Sequence, residues 1–331
     1  MVKFIKKTFF FLLPIIAFSY LIDIFISNNL RKSNKYAEKE YSTWNDIISG
    51  KVNSNILIYG SSRAWTQISP KIISNRVHTS AYNLGIDGHN FHLQYLRHKM
   101  LLKNNIKPKL IILSVDYYTL QKRIDLYNSD QFLPYLLFNK ELELATNSYK
   151  GFNYYDYHVP LIRYYGKYDA FFTSLRFFSG HLSNPICRVR GYQGRAESWN
   201  NDFDKAKLKM KKYKISLDSS TVALFEQFLK ECKRDNIKVI FVYTPEYIEG
   251  QKFVANREFI FKVFSKYSKN FGIPFYDYSN DSLSFDKKYF YNSNHLNKLG
   301  SELFTNRLID TLLKCNMLNI ENALDVKNKL N

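Results

Sequence analysis

Three short runs built almost wholly of apolar residues constrain this chain more than any other feature: Ile56–Tyr59, Leu110–Val115 and Val239–Tyr243. Strands buried on both faces read as continuous hydrophobic runs, not as alternating patterns. Each run stops at polar residues: Gly60-Ser61-Ser62-Arg63, Asp116-Tyr117 and Thr244-Pro245-Glu246. Two weaker runs, Ala81–Gly85 and Ile273–Tyr276, read as further strands. The intervals carry helical spacing. Residues 89–103 place Phe91, Tyr95 and Met100 at helical intervals. Val222, Phe225, Leu229 and Cys232 follow an N-cap candidate at Asp218, Ser219 or Ser220, and Phe259–Tyr267 belongs to another helix. A last amphipathic helix runs from about Lys298 to Leu313. Strands alternating with helices imply βαβ units. The expected fold class is therefore α/β: a three-layer α/β/α, flavodoxin-like parallel sheet of about five strands.

The flanks and the middle depart from this pattern. Phe9–Ile26 (FFFLLPIIAFSYLIDIFI) is an apolar run of 18 residues behind Lys3, Lys6 and Lys7, just long enough for a spanning helix. No small-residue cleavage site closes it, so an uncleaved signal anchor is favoured over a signal peptide. Asp23 is tolerable there only close to an interface. A very short N-terminal tail favours N-inside, leaving the rest of the chain extracytoplasmic. Residues 120–215 lose the strand–helix alternation and are rich in Tyr and Phe, which reads as an insertion or cap. The expected organisation is a membrane helix over 1–29, a stalk over 30–54, an α/β domain over 55–316 interrupted at about 120–215, and a tail over 317–331.

The 45% hydrophobic, 17% aromatic composition excludes a disordered chain, and the formal charge of +19 by itself decides nothing. The lysines are dispersed, with no finger or RNA-binding signature, so nucleic acid is not implied. An anionic lipid surface or polymer accounts for the charge as well. Cys187, Cys232 and Cys315 are too far apart for a CxxC site or a dense disulfide scaffold. Cys232 and Cys315 read as small core residues. His89 and His92, at i and i+3, lack neighbouring ligands other than Asp87, and packing or solvation is the better reading. No P-loop, dinucleotide fingerprint or GxSxG elbow is present.

Three polar stretches carry candidate chemistry: Gly60-Ser61-Ser62-Arg63, Asn83-Leu84-Gly85-Ile86-Asp87-Gly88 and Asn292-Ser293-Asn294-His295-Leu296-Asn297. In an open α/β sheet, loops at the carboxyl ends of strands converge on one edge. A serine hydroxyl there needs a base within hydrogen-bond reach, and imidazole titrates near neutrality. Ser62 is thus the candidate nucleophile and His295 the candidate base. The Ser62 and Gly88 N–H groups are candidate oxyanion donors.

In these blocks the chain resembles the SGNH (GDSL-like) hydrolase superfamily, and within it the membrane-anchored bacterial branch linked to acyl modification of cell-surface polymers. Gly60-Ser61-Ser62 stands where the family has Gly-Asp-Ser. Asn83–Gly88 is similar to the second block, with Gly88 matching its oxyanion glycine better than Gly85. Asn292-x-x-His295, followed by Leu296-Asn297 and Gly300, is similar to the closing Asp-x-x-His. The resemblance covers about residues 52–118 and 217–315. It implies a nucleophile at Ser62 and a base at His295 oriented by residue 292. Arg63 reads more readily as a surface or ion-pairing residue than as a substrate contact.

Two departures stand out. Asn292 replaces the family's Asp; its oxygen can accept the Nδ1–H bond, but it offers no charge to an imidazolium. Asp281 or Asp286, close in sequence, are candidates for the missing carboxylate. The third strand leads into Asp116-Tyr117, where the family carries an oxyanion-hole Asn, and an anionic Asp116 is not assigned that role. The resemblance implies an extracytoplasmic serine esterase or O-acyltransferase on a cell-envelope glycan, with a membrane acyltransferase as a partner and no metal or other cofactor. The competing expectation is a catalytically weakened domain that binds glycan or supports such an assembly.

Overall fold

The computed structural model describes residues 1–34, 40–88, 91–180, 188–209 and 212–318. His89, Cys187, the middle of the expected stalk and nearly all of the expected tail lie outside the described residues. The chain divides into two compact units, residues 1–46 with 123–188, and residues 47–122 with 189–331.

The second unit is built on five parallel strands, β1 (Ile56–Gly60), β2 (Ala81–Asn83), β3 (Leu110–Ser114), β4 (Lys238–Tyr243) and β5 (Phe275–Asp277), in the order β2-β1-β3-β4-β5. This is the flavodoxin-like order. The chain steps from β1 to β2 on one side, then crosses back to place β3 on the other, so the switch point lies between β1 and β3. Their register pairs Ile56 with Leu110 and Gly60 with Ser114.

Side-chain alternation explains why the runs are apolar throughout. Ile56, Ile58, Ile112, Ile240 and Val242 face one layer, packed with Phe304, Leu308, Ile309 and Leu312 of the Lys298–Lys314 helix. The intervening residues face the other layer. There Tyr59 packs on Phe228, and Phe241 on Phe225 and Phe264, side chains from the Ser219–Arg234 and Arg257–Phe271 helices. Asp218 caps the first of these by accepting from the Thr221 amide. Cys232 is buried in this layer, whereas Cys315 is exposed and not a core residue, because it falls one position beyond the last helix.

The first unit contains the Val2–Arg31 helix, which is long and apolar enough to cross a membrane, and the helices Lys140–Thr146, Tyr154–His158 and Tyr168–Ser179. Asp23 is buried at 1% exposure. Arg163 donates to both of its carboxylate oxygens at 2.6 and 2.7 Å, and the Leu161 amide donates at 2.8 Å. A charge inside an apolar helix is thereby paired and shielded.

Candidate active site

Gly60 sets the starting geometry. Its φ is +136°, and a Cβ there would stand 2.5 Å from the Ser114 carbonyl oxygen of β3, so only glycine lets β1 end this close to its neighbour. Ser61 then caps a six-residue helix, Ser62–Gln67, by accepting from the Arg63 amide at 3.1 Å. Ser62 occupies the first helical position and is half-buried.

The Ser62 hydroxyl meets His295 Nε2 at 2.7 Å, and His295 Nδ1 meets Asn292 Oδ1 at 2.9 Å. Asn292 Oδ1 also accepts from the Asn294 and His295 backbone amides, both at 3.0 Å. Backbone amides only donate, so the atom facing them is the amide oxygen. Nδ1 must then carry the ring proton, and the Nε2 lone pair is turned to the serine. The loop is tied to the serine helix by Gln67 Nε2, which donates to the Asn294 carbonyl at 3.0 Å. Asn297 caps the following helix through the Gly300 amide.

The second block braces this arrangement. Asn83, fully buried, donates to the Ala64 and Ile68 carbonyls at 2.8 and 2.9 Å and accepts from the Gly85 amide. A Cβ on Gly85 would lie 2.7 Å from the Trp65 nitrogen. Gly88, at φ +63°, directs its amide to Asp87 Oδ1 at 3.1 Å.

Arg63 does not reach the site surface. It is 4% exposed, donates Nε to Thr244 Oγ1 at 3.2 Å and a terminal nitrogen to the Thr244 carbonyl, and lies 3.8 Å from Glu246. Its guanidinium also stacks over Tyr243. Burial works against its charge, but Tyr243 and Glu246 outweigh it and raise its pKa. Glu246 in turn accepts from Tyr117 at 2.9 Å and Tyr243 at 2.7 Å. Arg63 thus organises the floor beneath the serine helix, the ion-pairing place and not the substrate-facing one. Asp281 and Asp286 are likewise committed elsewhere, to the Leu283 amide with Arg307 and to the Lys288 amide with its ammonium.

His295 retains some surface exposure but is densely enclosed. Burial is the main reason its pKa is pulled down to about 3; the Arg63 and Arg195 cations add to this, and Asp116 opposes it. Asp116 is 1% exposed and accepts from the Tyr118 amide. The sequence reading missed Arg195, whose guanidinium lies over Trp65 at 5.4 Å, and Tyr291, which stacks on the His295 ring at 5.3 Å and 13°. Tyr291 adjoins Asn292 and was within reach of the motif. Arg195, in the aromatic-rich segment, carried no local signal. His92 bonds Thr221 at 3.1 Å, and no group of three or more potential metal ligands occurs among the described residues.

No family model matches the chain. No curated protein matches it either. Among solved structures it is similar to a "putative acylhydrolase" from Bacteroides fragilis, at 14% identity over 78% of this chain and 86% of that one, with a TM-score of 0.35. A superposition that loose carries no argument about the chemistry here, which rests on the site's own geometry.

Proposed function

We propose that the chain is a serine-dependent acyl-ester hydrolase or O-acyltransferase of SGNH type. The observation that carries the proposal is the hydrogen-bonded series Ser62–His295–Asn292 at 2.7 and 2.9 Å. Ser62 Oγ attacks the ester carbonyl while its proton passes to His295 Nε2. The Ser62 and Gly88 amides hold the tetrahedral oxyanion, the Gly88 amide turning from Asp87 to do so. His295 returns the proton to the departing alkoxide, leaving an acyl-serine. Water, or a glycan hydroxyl in the transfer reaction, then gives its proton to His295 and attacks the acyl carbon; the acyl–Oγ bond breaks and His295 passes that proton to Ser62 Oγ, restoring the hydroxyl.

The envelope setting, with the Val2–Arg31 helix as a membrane anchor, the rest of the chain extracytoplasmic, a cell-surface glycan as acceptor and a membrane acyltransferase as partner, rests on the apolar helix and on the family resemblance. A weakened, glycan-binding domain is the second reading. The neutral Asn292 behind the imidazole favours it, since the imidazolium formed in catalysis gains no adjacent charge.

The test is hydrolysis of a nitrophenyl acetate by the full chain in detergent, beside Ser62→Ala. The proposal expects the variant to fall to the uncatalysed rate with its melting temperature retained. Equal rates for both proteins would overturn Ser62 as nucleophile and leave the binding reading.

A further inference from the structure

The Tyr168–Ser179 helix is built inside out. Its inward face consists of Ala170, Thr173 and Ser174, all buried, while Tyr168, Phe171, Phe172, Leu175 and Phe178 are 37–74% exposed. Their spacing of i, i+3, i+4, i+7 and i+10 makes one continuous apolar stripe. A helix on the surface of a water-soluble protein shows the opposite arrangement, and a contiguous aromatic stripe of this size marks contact with something apolar.

Continuity identifies what that is. The Phe178 ring meets Phe25 of the Val2–Arg31 helix at 5.2 Å, edge to face, and Phe25 belongs to the same exposed apolar surface as Phe18, Leu21 and Ile22. The two helices are joined by small polar groups: Asn29 Nδ2 donates to the Ser174 hydroxyl at 3.0 Å and to its carbonyl at 3.4 Å. Residues 9–26 rise about 27 Å at 1.5 Å per residue, close to the roughly 30 Å hydrocarbon core. The Phe25–Phe178 level therefore falls at the edge of the core. Asp23 at that level is no obstacle, being buried and paired with Arg163.

We propose that the Tyr168–Ser179 helix lies in the bilayer boundary with its aromatic stripe toward lipid, so that this unit is seated in the membrane by two helices. The inference rests on the reading of Val2–Arg31 as a span. It predicts Phe178, beside Phe25, to be among the most deeply placed residues of the stripe.

The test uses the full chain in phosphatidylcholine–phosphatidylglycerol nanodiscs, with Cys187→Ala, Cys232→Ala and Cys315→Ala as background. A single environment-sensitive fluorophore is placed at Phe172→Cys, Phe178→Cys, Phe18→Cys or the exposed Leu208→Cys, and quenched by lipids with a nitroxide on the acyl chain. Labels at 172 and 178 should be quenched several-fold more than at 208. Quenching at 18 with none beyond the 208 level at 172 and 178 would overturn the boundary helix and leave the span intact. No quenching at 18 would remove the span, and this inference with it. Blue-shifted emission at 172 and 178 without lipid quenching would assign the stripe to a second protein surface and overturn it equally.

Discussion

The Ser62 hydroxyl stands 2.7 Å from His295 Nε2 although 233 residues separate the two. Two local devices produce this. Gly60 lets the serine helix start hard against β3, and the Gln67–Asn294 bond holds the histidine loop to the far end of the same helix. The ring's proton then faces a neutral amide oxygen, so the geometry is that of a triad while the charge is not.

Restoring that charge should raise activity. Asn292→Asp keeps the acceptor that three donors already use and adds a negative charge beside the ring. In a serine protease the reverse exchange lowers turnover by about 10⁴; here a gain of about tenfold or more is expected. The carboxylate also raises the histidine pKa, so the acid limb of kcat/KM should move to higher pH. An unchanged pH profile in a folded variant would contradict the Nδ1 assignment.

The wild-type acid limb should lie well below the ordinary histidine value of about 6.5. His295 is held to about 3 by burial and by Arg63 and Arg195, so the neutral base persists into acid and is lost only as pH falls through that value. Asp116→Asn removes the one opposing carboxylate and should depress the limb further. Measured kcat/KM between neutrality and acid checks both.

Stability should respond to the same groups. His98 is also kept neutral, at about 4, chiefly by burial. Between these depressed values and about 6.5 the unfolded chain binds protons that the native rings refuse. Unfolding is therefore favoured as pH falls through that window, and full stability returns only above it. Thermal melts across a pH series should show Tm falling from about pH 6.5 downward; a flat profile would contradict the burial of both rings.

Arg63→Met should act on stability before chemistry. It strands Glu246, fully buried, against two tyrosine hydroxyls. Removing one member of a buried pair costs about 3–5 kcal/mol, readable as a lower urea midpoint. The double variant with Glu246→Gln should lose less than the sum of the two. A shift in KM alone would return Arg63 to the substrate.

Gly60→Ala should destabilise the second unit. The φ of +136° alone costs an L-residue about 1–3 kcal/mol, and the new Cβ meets the Ser114 oxygen. Esterase activity should fall with it, because the serine helix starts two residues later.

Period and the length of an apolar run are local properties, and they were legible in the sequence. The runs Ile56–Tyr59, Leu110–Val115 and Val239–Tyr243 could be little other than buried parallel strands, and the final helix followed from residue type and spacing, while the cap at 218–220 was narrowed to three residues from which the structure selects Asp218. The Ser62 and His295 candidates came from the same source, as polar residues at strand ends. What residues do across space was not legible. Whether Arg63 turns outward to a substrate or inward to Thr244 and Glu246 depends on where the end of β4, two places from β1 in the sheet, falls beside the serine helix. Asn83 reads as part of a chemical motif and serves as a brace for the serine helix. Asp23 reads as an interfacial charge until Arg163, 140 residues away, closes on it. The charge state of His295 depends on burial and on cations from two distant segments. Sequence determines which faces must be covered; only the docking of those faces decides which charges and donors meet, because such encounters join segments that no local pattern connects.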